Sequence, residues 1–168
     1  AIARFFVPWL CDYTGWALFI DGDVLCRVDL GVLPDDYCDE RYALYCVQHP
    51  PLLAEGAKKD GAMQLAYARK NWSSVMWLNC GHPSNQKLNH SILNALPGRD
   101  LHRFCWLRDD EIGVLPAEFN YLVNVSAPIA NPAIVHFTQG GPWLTTHAHD
   151  PFADEWHVMA AKAGYRLN

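Results

Sequence analysis

Two aspartates one residue apart, Asp21 and Asp23, directly follow the apolar run Trp16–Ile20. A short continuous apolar run with aromatic and β-branched members predicts a buried strand. Two carboxylates would not be buried without a compensating cation, so the strand is expected to end here, at the sheet edge where open α/β sheets bind ligands. Side chains at positions i and i+2 of an extended chain share one face, so both carboxylates can reach one divalent ion.

The oxygen atoms of Asp21 and Asp23 are hard ligands, which magnesium, manganese and calcium prefer. Gly22, between them, would let other groups approach closely. The alternative is an ordinary turn, because Asp-Gly-Asp is also favourable turn chemistry. The metal hypothesis therefore needs further ligands from elsewhere in the chain.

A second polar group follows the predicted strand 133–138, where His136 lies near the strand end and Gly140 and Gly141 come just after it. Backbone N–H groups of a Gly-Gly loop can face phosphate oxygens, so this layout is that of a ligand site. The alternative is that His136 is an ordinary packed side chain. The segment 147–150, His-Ala-His-Asp, is a weaker candidate for a second metal site, since His pairs in loops are weak signals.

A second acidic group, Asp109, Asp110 and Glu111, follows an aromatic stretch. It is either a second catalytic patch or the start of a helix, where carboxylates complement the helix dipole. The second interpretation is favoured for at least one of the three residues.

The composition is that of a globular protein and predicts a single domain over residues 1–168, with half the residues hydrophobic and 18% charged. The net charge of −5 and the lack of a basic run argue against a nucleic-acid partner. Six cysteines without a Cys-x-x-Cys pair predict buried free thiols of a reducing compartment. No segment is long and apolar enough to span a bilayer, and a cytoplasmic location is expected.

Apolar patterning predicts further elements along the chain. The expected strands cover 42–47, 72–80 and 119–123, the expected helices 2–10, 86–96 and 151–163, and an exposed helix or loop is expected over 52–70. Arg4, the one charge of the first helix, pairs either with Asp12 or a neighbouring carboxylate, or with a phosphate or the aspartates of the metal site. Ser73 and Ser74 are small residues in a bulky strand, which suggests that something approaches the backbone there.

Four blocks in this order, 3–10, 18–25, 72–79 and 135–143, resemble the GT-A fold glycosyltransferases. The likeness is strongest to family 8, the glycogenin and lipopolysaccharide galactosyltransferase group with its bacterial relatives. It implies an α/β fold with a mixed, mostly parallel sheet flanked by helices. It also implies an N-terminally incomplete domain, because the family's first nucleotide-binding strands precede the equivalent of Arg4.

The resemblance also implies an activity, the metal-dependent transfer of a sugar from a nucleoside-diphosphate sugar to a saccharide or other hydroxyl acceptor. A UDP-sugar is the first expectation for the donor, and the anomeric configuration of the sugar is expected to be retained. Asp21, Asp23 and His136 would hold one manganese (or magnesium) ion that bridges the donor diphosphate. The other expected roles are donor binding by Arg4, Ser74, Gly140 and Gly141, and a catalytic role in holding donor-sugar hydroxyls for Asp109 and Asp110.

Two departures from the family pattern matter. A Lys usually precedes the Pro-Trp pair of the His block, whereas Gly141 stands there in this chain, and the family's Asn-Ser-Gly strand reads Trp72-Ser73-Ser74. A degenerate, non-catalytic sugar-nucleotide-binding domain is therefore the main alternative. A haloacid-dehalogenase-type phosphatase is a weaker one, since its Asp-x-Asp-Gly order is not met with Gly22 between the aspartates.

Overall fold

The computed structural model describes residues 2–50, 56–57, 63–64 and 69–165. The strands are β1 (Trp16–Ile20), β2 (Val24–Cys26), β3 (Leu44–Cys46), β4 (Gly56–Ala57), β5 (Met63–Gln64), β6 (Val75–Asn79), β7 (Ile112–Val114), β8 (Tyr121–Leu122) and β9 (Ile134–His136). The α-helices are α1 (Val7–Leu10), α2 (Leu33–Asp36), α3 (His90–Ala95), α4 (Gly98–His102) and α5 (Ala153–Lys162). Short 3-10 helices cover Ile2–Phe6, Leu30–Val32, Trp72–Ser74, Asn85–Lys87, Asp109–Glu111, Ala117–Asn120 and Thr145–His147. None of the helices in these ranges could cross a membrane.

The chain divides into two compact units. The first comprises Ala1–Ile20 and Gly31–Pro116, and the second comprises Asp21–Leu30 and Ala117–Asn168. The single domain expected over residues 1–168 stays a prediction, and each unit is described by itself.

The first unit is built on a four-stranded sheet of order β1-β6-β3-β7. Strand β6 runs antiparallel to both β1 and β3, while β3 and β7 are parallel. Alternate residues of a strand point to opposite faces, so Met76 and Leu78 of β6 join one core face with Leu44 of β3. Side chains from the helical segments and from the turn after α4 cover this face, with the fully buried Phe5 and Phe104 among the largest of them.

The opposite face of this sheet is aromatic. The rings of Trp16 and Trp77 stack with their centroids 5.7 Å apart, and Trp16 and Tyr45 lie 5.9 Å apart. Tyr37 and Tyr42 also pack on Tyr45, at 5.6 Å and 5.0 Å between centroids. Most of the aromatic side chains on this face therefore serve packing.

The second unit contains a three-stranded sheet of order β2-β9-β8. Strand β9 is central, antiparallel to β2 and parallel to β8. Its small core joins residues of the three strands and their ends to the segment around α5. Arg27 helps to attach α5, because its guanidinium forms a two-pronged ion pair with Glu155 at 2.7 Å and 3.2 Å.

The predicted α/β class with sheets flanked by helices is confirmed, but the strand directions differ from the prediction. Among the described strands, four pairs are antiparallel and two are parallel, so the sheets are mixed without being mostly parallel. An apolar run reports how deeply a strand is buried but not its direction, which depends on the connections and neighbouring strands.

Several element boundaries also shift. The predicted strand 72–80 begins with the 3-10 helix Trp72–Ser74, after Asn71 in the left-handed conformation. The predicted helix 86–96 is shortened to α3, whose N-terminus is capped by the Asn89 side chain. The predicted exposed segment 52–70 lies mostly outside the described residues, although Lys70 itself is buried.

The cysteines are free thiols, as predicted, but only some of them are buried. All six cysteines are free thiols. Cys46 and Cys80 are buried, and burial raises the pKa of the Cys80 thiol to about 12. Cys105, however, is exposed, because the turn after α4 carries it out of the core.

Glu111 is a buried carboxylate held by hydrogen bonds in the first unit. It is 7% exposed, and it accepts hydrogen bonds from the Ser84 hydroxyl at 2.6 Å and from the Arg108 N–H at 2.8 Å. Burial opposes ionisation, but these hydrogen bonds and the charge of Arg108 outweigh it and lower the pKa of Glu111 below 4.5. The expected helix-start role of one acidic residue is confirmed here, since Glu111 caps the N-terminus of the 3-10 helix Asp109–Glu111.

Acidification should therefore destabilise the fold through Glu111. Its folded pKa lies below the unfolded value, so the stabilisation is present above about pH 4.5 and is lost as the pH falls through the folded pKa. We expect the unfolding free energy of Glu111→Gln, measured by urea titration, to fall less steeply than that of wild type between about pH 7 and pH 3. At neutral pH, the substitution should lower the unfolding free energy by about 1–3 kcal/mol. Asp35→Asn, at an exposed position of α2, is the control, and an unchanged pH slope in Glu111→Gln would contradict the assignment.

Candidate metal centre

The register of β2 against β9 brings an aspartate beside a histidine. Val24 pairs with His136 across the two strands, and the N–H of Phe137 donates to the carbonyl of Asp23 at 2.9 Å. Strand β8 pairs with the other edge of β9, where Leu122 lies opposite His136. His136 is therefore fixed from both sides and is only 3% exposed.

Asp21, Asp23 and His136 form a cluster in the second unit. The Nε2 atom of His136 lies 3.3 Å from a carboxylate oxygen of Asp23. One potential ligand atom from each of the three residues lies within 4.8 Å of the other two. Across the described part of the chain, this is the one group of three His, Cys, Asp or Glu side chains with such spacing.

The donor set of this cluster fits a divalent cation. Two carboxylates that converge on one point repel each other unless a positive charge lies between them. The side chain of Asp23 is 37% exposed, which leaves one side of the cluster open to further ligands. One imidazole nitrogen among oxygen ligands shifts the preference from magnesium towards manganese.

The turn hypothesis and the metal hypothesis turn out to be compatible. Strand β1 ends at Ile20, as predicted, and the chain turns at Gly22 and Asp23 before β2 begins. Among the described residues, no heavy atom beyond Gly22 and its two chain neighbours lies within 4 Å of the position that a Cβ on Gly22 would occupy. Gly22 is therefore not required by packing, and the space above it is available to a ligand.

The Gly-Gly loop after β9 lies in the same unit, and the backbone of its first glycine stabilises the loop conformation. The N–H of Gly140 donates to the carbonyl of Phe137 at 2.9 Å, so this donor serves the turn and not a phosphate. Gly140 has a φ of 121°, and a Cβ there would lie 2.9 Å from the His147 ring. The loop thus needs glycine at this position for its own shape, and the expected phosphate contact is left to the N–H of Gly141.

The weaker second metal site, predicted at residues 147–150, takes another form. The Nδ1 atom of His147 pairs with the carboxylate of Asp150 at 2.6 Å, in and just after the 3-10 helix Thr145–His147. Residues 147–150 do not belong to any metal-like group of three in the described ranges. The contact between His147 and Asp150 therefore stabilises the loop.

Two of the predicted donor-binding residues lie in the first unit, where they contact the backbone. The guanidinium of Arg4 donates to the carbonyl of Ser73 at 2.6 Å and lies 4.9 Å from the centre of the Phe19 ring. The hydroxyl of Ser74 donates to the carbonyl of Asn71 at 2.7 Å. The small residue at position 73 suggested that a group approaches the backbone there, and Arg4 is such a group.

Asp109 and Asp110, the predicted catalytic pair, also lie in the first unit. Asp109 is 95% exposed and forms an ion pair with Arg69. A hydrogen bond from Arg108 lowers the pKa of Asp110, which keeps this carboxyl ionised at neutral pH. Ionised carboxylates can accept hydrogen bonds from sugar hydroxyls, but they are unsuited to act as general acids.

One residue of the centre was missed by sequence reasoning. Asn120 is 0% exposed, and its side-chain oxygen lies 3.1 Å from the Nδ1 atom of His136. In the sequence it is a single amide inside the apolar run 119–123, for which the apolar pattern predicts only a strand. A polar side chain in such a run is the signal that could have found it, because a buried amide needs a partner.

Sequence comparisons find a curated relative of this chain. No family model matches it. It is 45% identical over 161 residues to the curated Protein CDI of Arabidopsis thaliana. That alignment covers 93% of this chain, and the chain spans 62% of the length of that relative.

Solved structures of glycosyltransferases are similar in backbone. The glycosyltransferase GlyE of Streptococcus pneumoniae TIGR4 matches with a TM-score of 0.61 and 17% identity, covering 93% of this chain and 42% of its own. The galactosyltransferase LgtC, solved with donor and acceptor sugar analogues, matches with a TM-score of 0.59 and 16% identity over 96% of this chain and 66% of its own. The chain therefore has the α/β fold of these glycosyltransferases, as predicted.

Proposed function

We propose that this chain is the catalytic part of a metal-dependent glycosyltransferase similar to family 8. It would move a sugar from a nucleoside-diphosphate sugar, with a UDP-sugar as the first candidate, to a saccharide or other hydroxyl acceptor with retention. The observation that carries the proposal is the cluster of Asp21, Asp23 and His136 in a chain with a glycosyltransferase fold. Fold alone does not determine function, so the argument depends on the chemistry of this cluster.

Each residue of the cluster has a defined part in the proposal. The carboxylates of Asp21 and Asp23 would hold the cation, and His136 would present its Nε2 atom on the buried side. When bound there, manganese (or magnesium) would offset the negative charge that develops on the departing nucleoside diphosphate. The Gly140 turn would orient the N–H of Gly141 towards phosphate, and the open space at Gly22 would admit the donor.

The roles implied by resemblance for the first unit stay predictions. Arg4 and Ser74 would bind the donor, and Asp109 and Asp110 would hold sugar hydroxyls. The cytoplasmic location and the retaining outcome also stay predictions. The phosphatase alternative loses support, because its motif order is not met and the fold is that of glycosyltransferases.

Two features favour a second candidate, a non-catalytic sugar-nucleotide-binding domain. Gly141 stands where the resembled family usually has a phosphate-binding lysine, and the N–H of Gly140 is used within its own turn. Both features reduce the positive charge and the donors that could face a leaving diphosphate. Such a protein would bind the donor without turning it over.

Release of nucleoside diphosphate from a panel of UDP-sugars tests the proposal. We expect turnover with manganese, weaker turnover with magnesium, and none in excess chelator until manganese is restored. Undiminished turnover in excess chelator would contradict the metal mechanism. Manganese-dependent binding of UDP without turnover on any sugar would instead support the binding-domain alternative.

A further inference from the structure

A buried amide lies behind the histidine of the metal centre. We infer that Asn120 is a positioning residue, which fixes the tautomer of His136 so that its Nε2 atom presents a lone pair to the cation. The inference rests on the proposed function for its purpose, but the geometry behind it is that of Asn120 and His136 alone.

The backbone holds Asn120 in place from two directions. It is the last residue of the 3-10 helix Ala117–Asn120 and leads directly into β8, which pairs with β9 in the register Leu122 to His136. Two residues earlier, the carbonyl of Glu118 accepts a hydrogen bond from the N–H of Ala133, just before β9. The distance between the Asn120 amide and the His136 ring is therefore set by strand pairing and not by a mobile loop.

The chemistry of the contact selects one tautomer. The side-chain oxygen of Asn120 only accepts hydrogen bonds, so its position 3.1 Å from the Nδ1 atom of His136 favours the tautomer that carries the proton on Nδ1. In a neutral imidazole the Nε2 atom then has a lone pair, and this atom faces the Asp23 carboxylate at 3.3 Å. The Nε2 lone pair and the carboxylate oxygen repel each other at this distance unless a cation lies between them.

Burial makes the Asn120 contact hard to replace. Asn120 and His136 are both more than nine-tenths buried, so solvent has little access to the Nδ1–H if the amide is removed. The ring could then place its proton on Nε2 and lose its ligand atom. Groups of this kind behind a ligating histidine fix ring orientation and tautomer, and their loss weakens metal affinity.

An amide at this position orients the imidazole without adding charge to the centre. Asp21 and Asp23 already supply two carboxylates. An aspartate at position 120 would accept the same proton and would also increase the basicity of His136 as a ligand. Asn120→Ala should therefore weaken metal binding, whereas Asn120→Asp should keep or strengthen it.

The test compares Asn120→Ala, Asn120→Asp and Val123→Ala by manganese titration calorimetry on the full chain. We expect Asn120→Ala to weaken manganese binding roughly 10- to 100-fold, and Asn120→Asp to bind as tightly as wild type or more tightly. Val123→Ala removes a buried side chain of the same unit, with no polar group, and should leave the affinity unchanged. It controls for a general loss of stability.

A second readout reports the tautomer directly. Long-range ¹H–¹⁵N NMR spectra of metal-free wild type at mildly alkaline pH should show the His136 proton on Nδ1, and Asn120→Ala should shift part of it to Nε2. Wild-type affinity in Asn120→Ala, or a wild-type proton on Nε2, would overturn the inference. If wild type binds no manganese, the proposed function fails, while the wild-type tautomer alone still supports or overturns the role of Asn120.

Discussion

Asp23→Asn is expected to abolish manganese-dependent sugar transfer while leaving the protein folded. The substitution keeps the shape of the side chain and removes one of two converging charges, 3.3 Å from the Nε2 atom of His136. Charge stabilisation by a bound metal is worth several kcal/mol in the transition state, so we expect a loss of about a thousand-fold or more in kcat/KM. The measurement is release of UDP at saturating manganese, together with manganese affinity by calorimetry.

The thermal stability of Asp23→Asn separates this effect from unfolding. The side chain is partly exposed, and removing one carboxylate relieves repulsion with Asp21, so the metal-free Tm should stay the same or rise slightly. Asp154→Asn, at an exposed position of α5, is the matched control and should retain full activity. Full activity in Asp23→Asn would show that this carboxylate is not a ligand.

Gly113→Ala is expected to cause the largest loss of stability among single-methyl additions in the first unit. Gly113 pairs with Tyr45 across β7 and β3, and a Cβ at this position would lie 2.3 Å from the tyrosine ring. The ring has little freedom to move, because Trp16, Tyr37 and Tyr42 pack on it and its hydroxyl accepts the N–H of Asp39 at 3.2 Å. We expect a cost near the upper end of about 1–3 kcal/mol, or about 2–4 °C in Tm per kcal/mol.

Gly98→Ala provides the matched comparison. A Cβ on Gly98, at the start of α4, would meet the Ile2 side chain at an ordinary 3.8 Å. That substitution should be neutral or stabilising by less than about 1 kcal/mol, because alanine reduces the entropy of the unfolded chain. Equal unfolding free energies for the two variants in urea would mean that the Tyr45 ring yields to the new methyl group.

Local patterns in the sequence predicted the parts of this protein that depend on neighbouring residues. The apolar run Trp16–Ile20 is a strand that ends before Asp21, and the spacing of Asp21 and Asp23 already allows both carboxylates to reach one ion. These features follow from the two-residue period of a strand and from the cost of burying charge, which act within a few residues. The resemblance to glycosyltransferases then selected His136 as the partner, and the structure brings it to the aspartates.

Other features could not be obtained from local patterns. The antiparallel directions around β6 and β9 depend on which strands become neighbours, and the amide of Asn120 reaches His136 only through the parallel register of β8 and β9. Similarly, the use of the Gly140 N–H within its own turn depends on the conformation of the loop after β9. Hydrogen-bond partners are chosen in three dimensions, whereas a sequence shows only that a donor or an acceptor needs one.

The sequence by itself determined the ligand types at Asp21 and Asp23, the strand before them, and the chemistry that such ligands favour. His136 was implied by the resemblance, but only the tertiary structure decided how close it comes to the aspartates, that Asn120 lies behind it, and that the β2–β9 register sets their spacing. The physical reason is that a metal centre needs donors converging within a few ångströms. Residues far apart in the chain meet this condition only when strand pairing and core packing fix their positions.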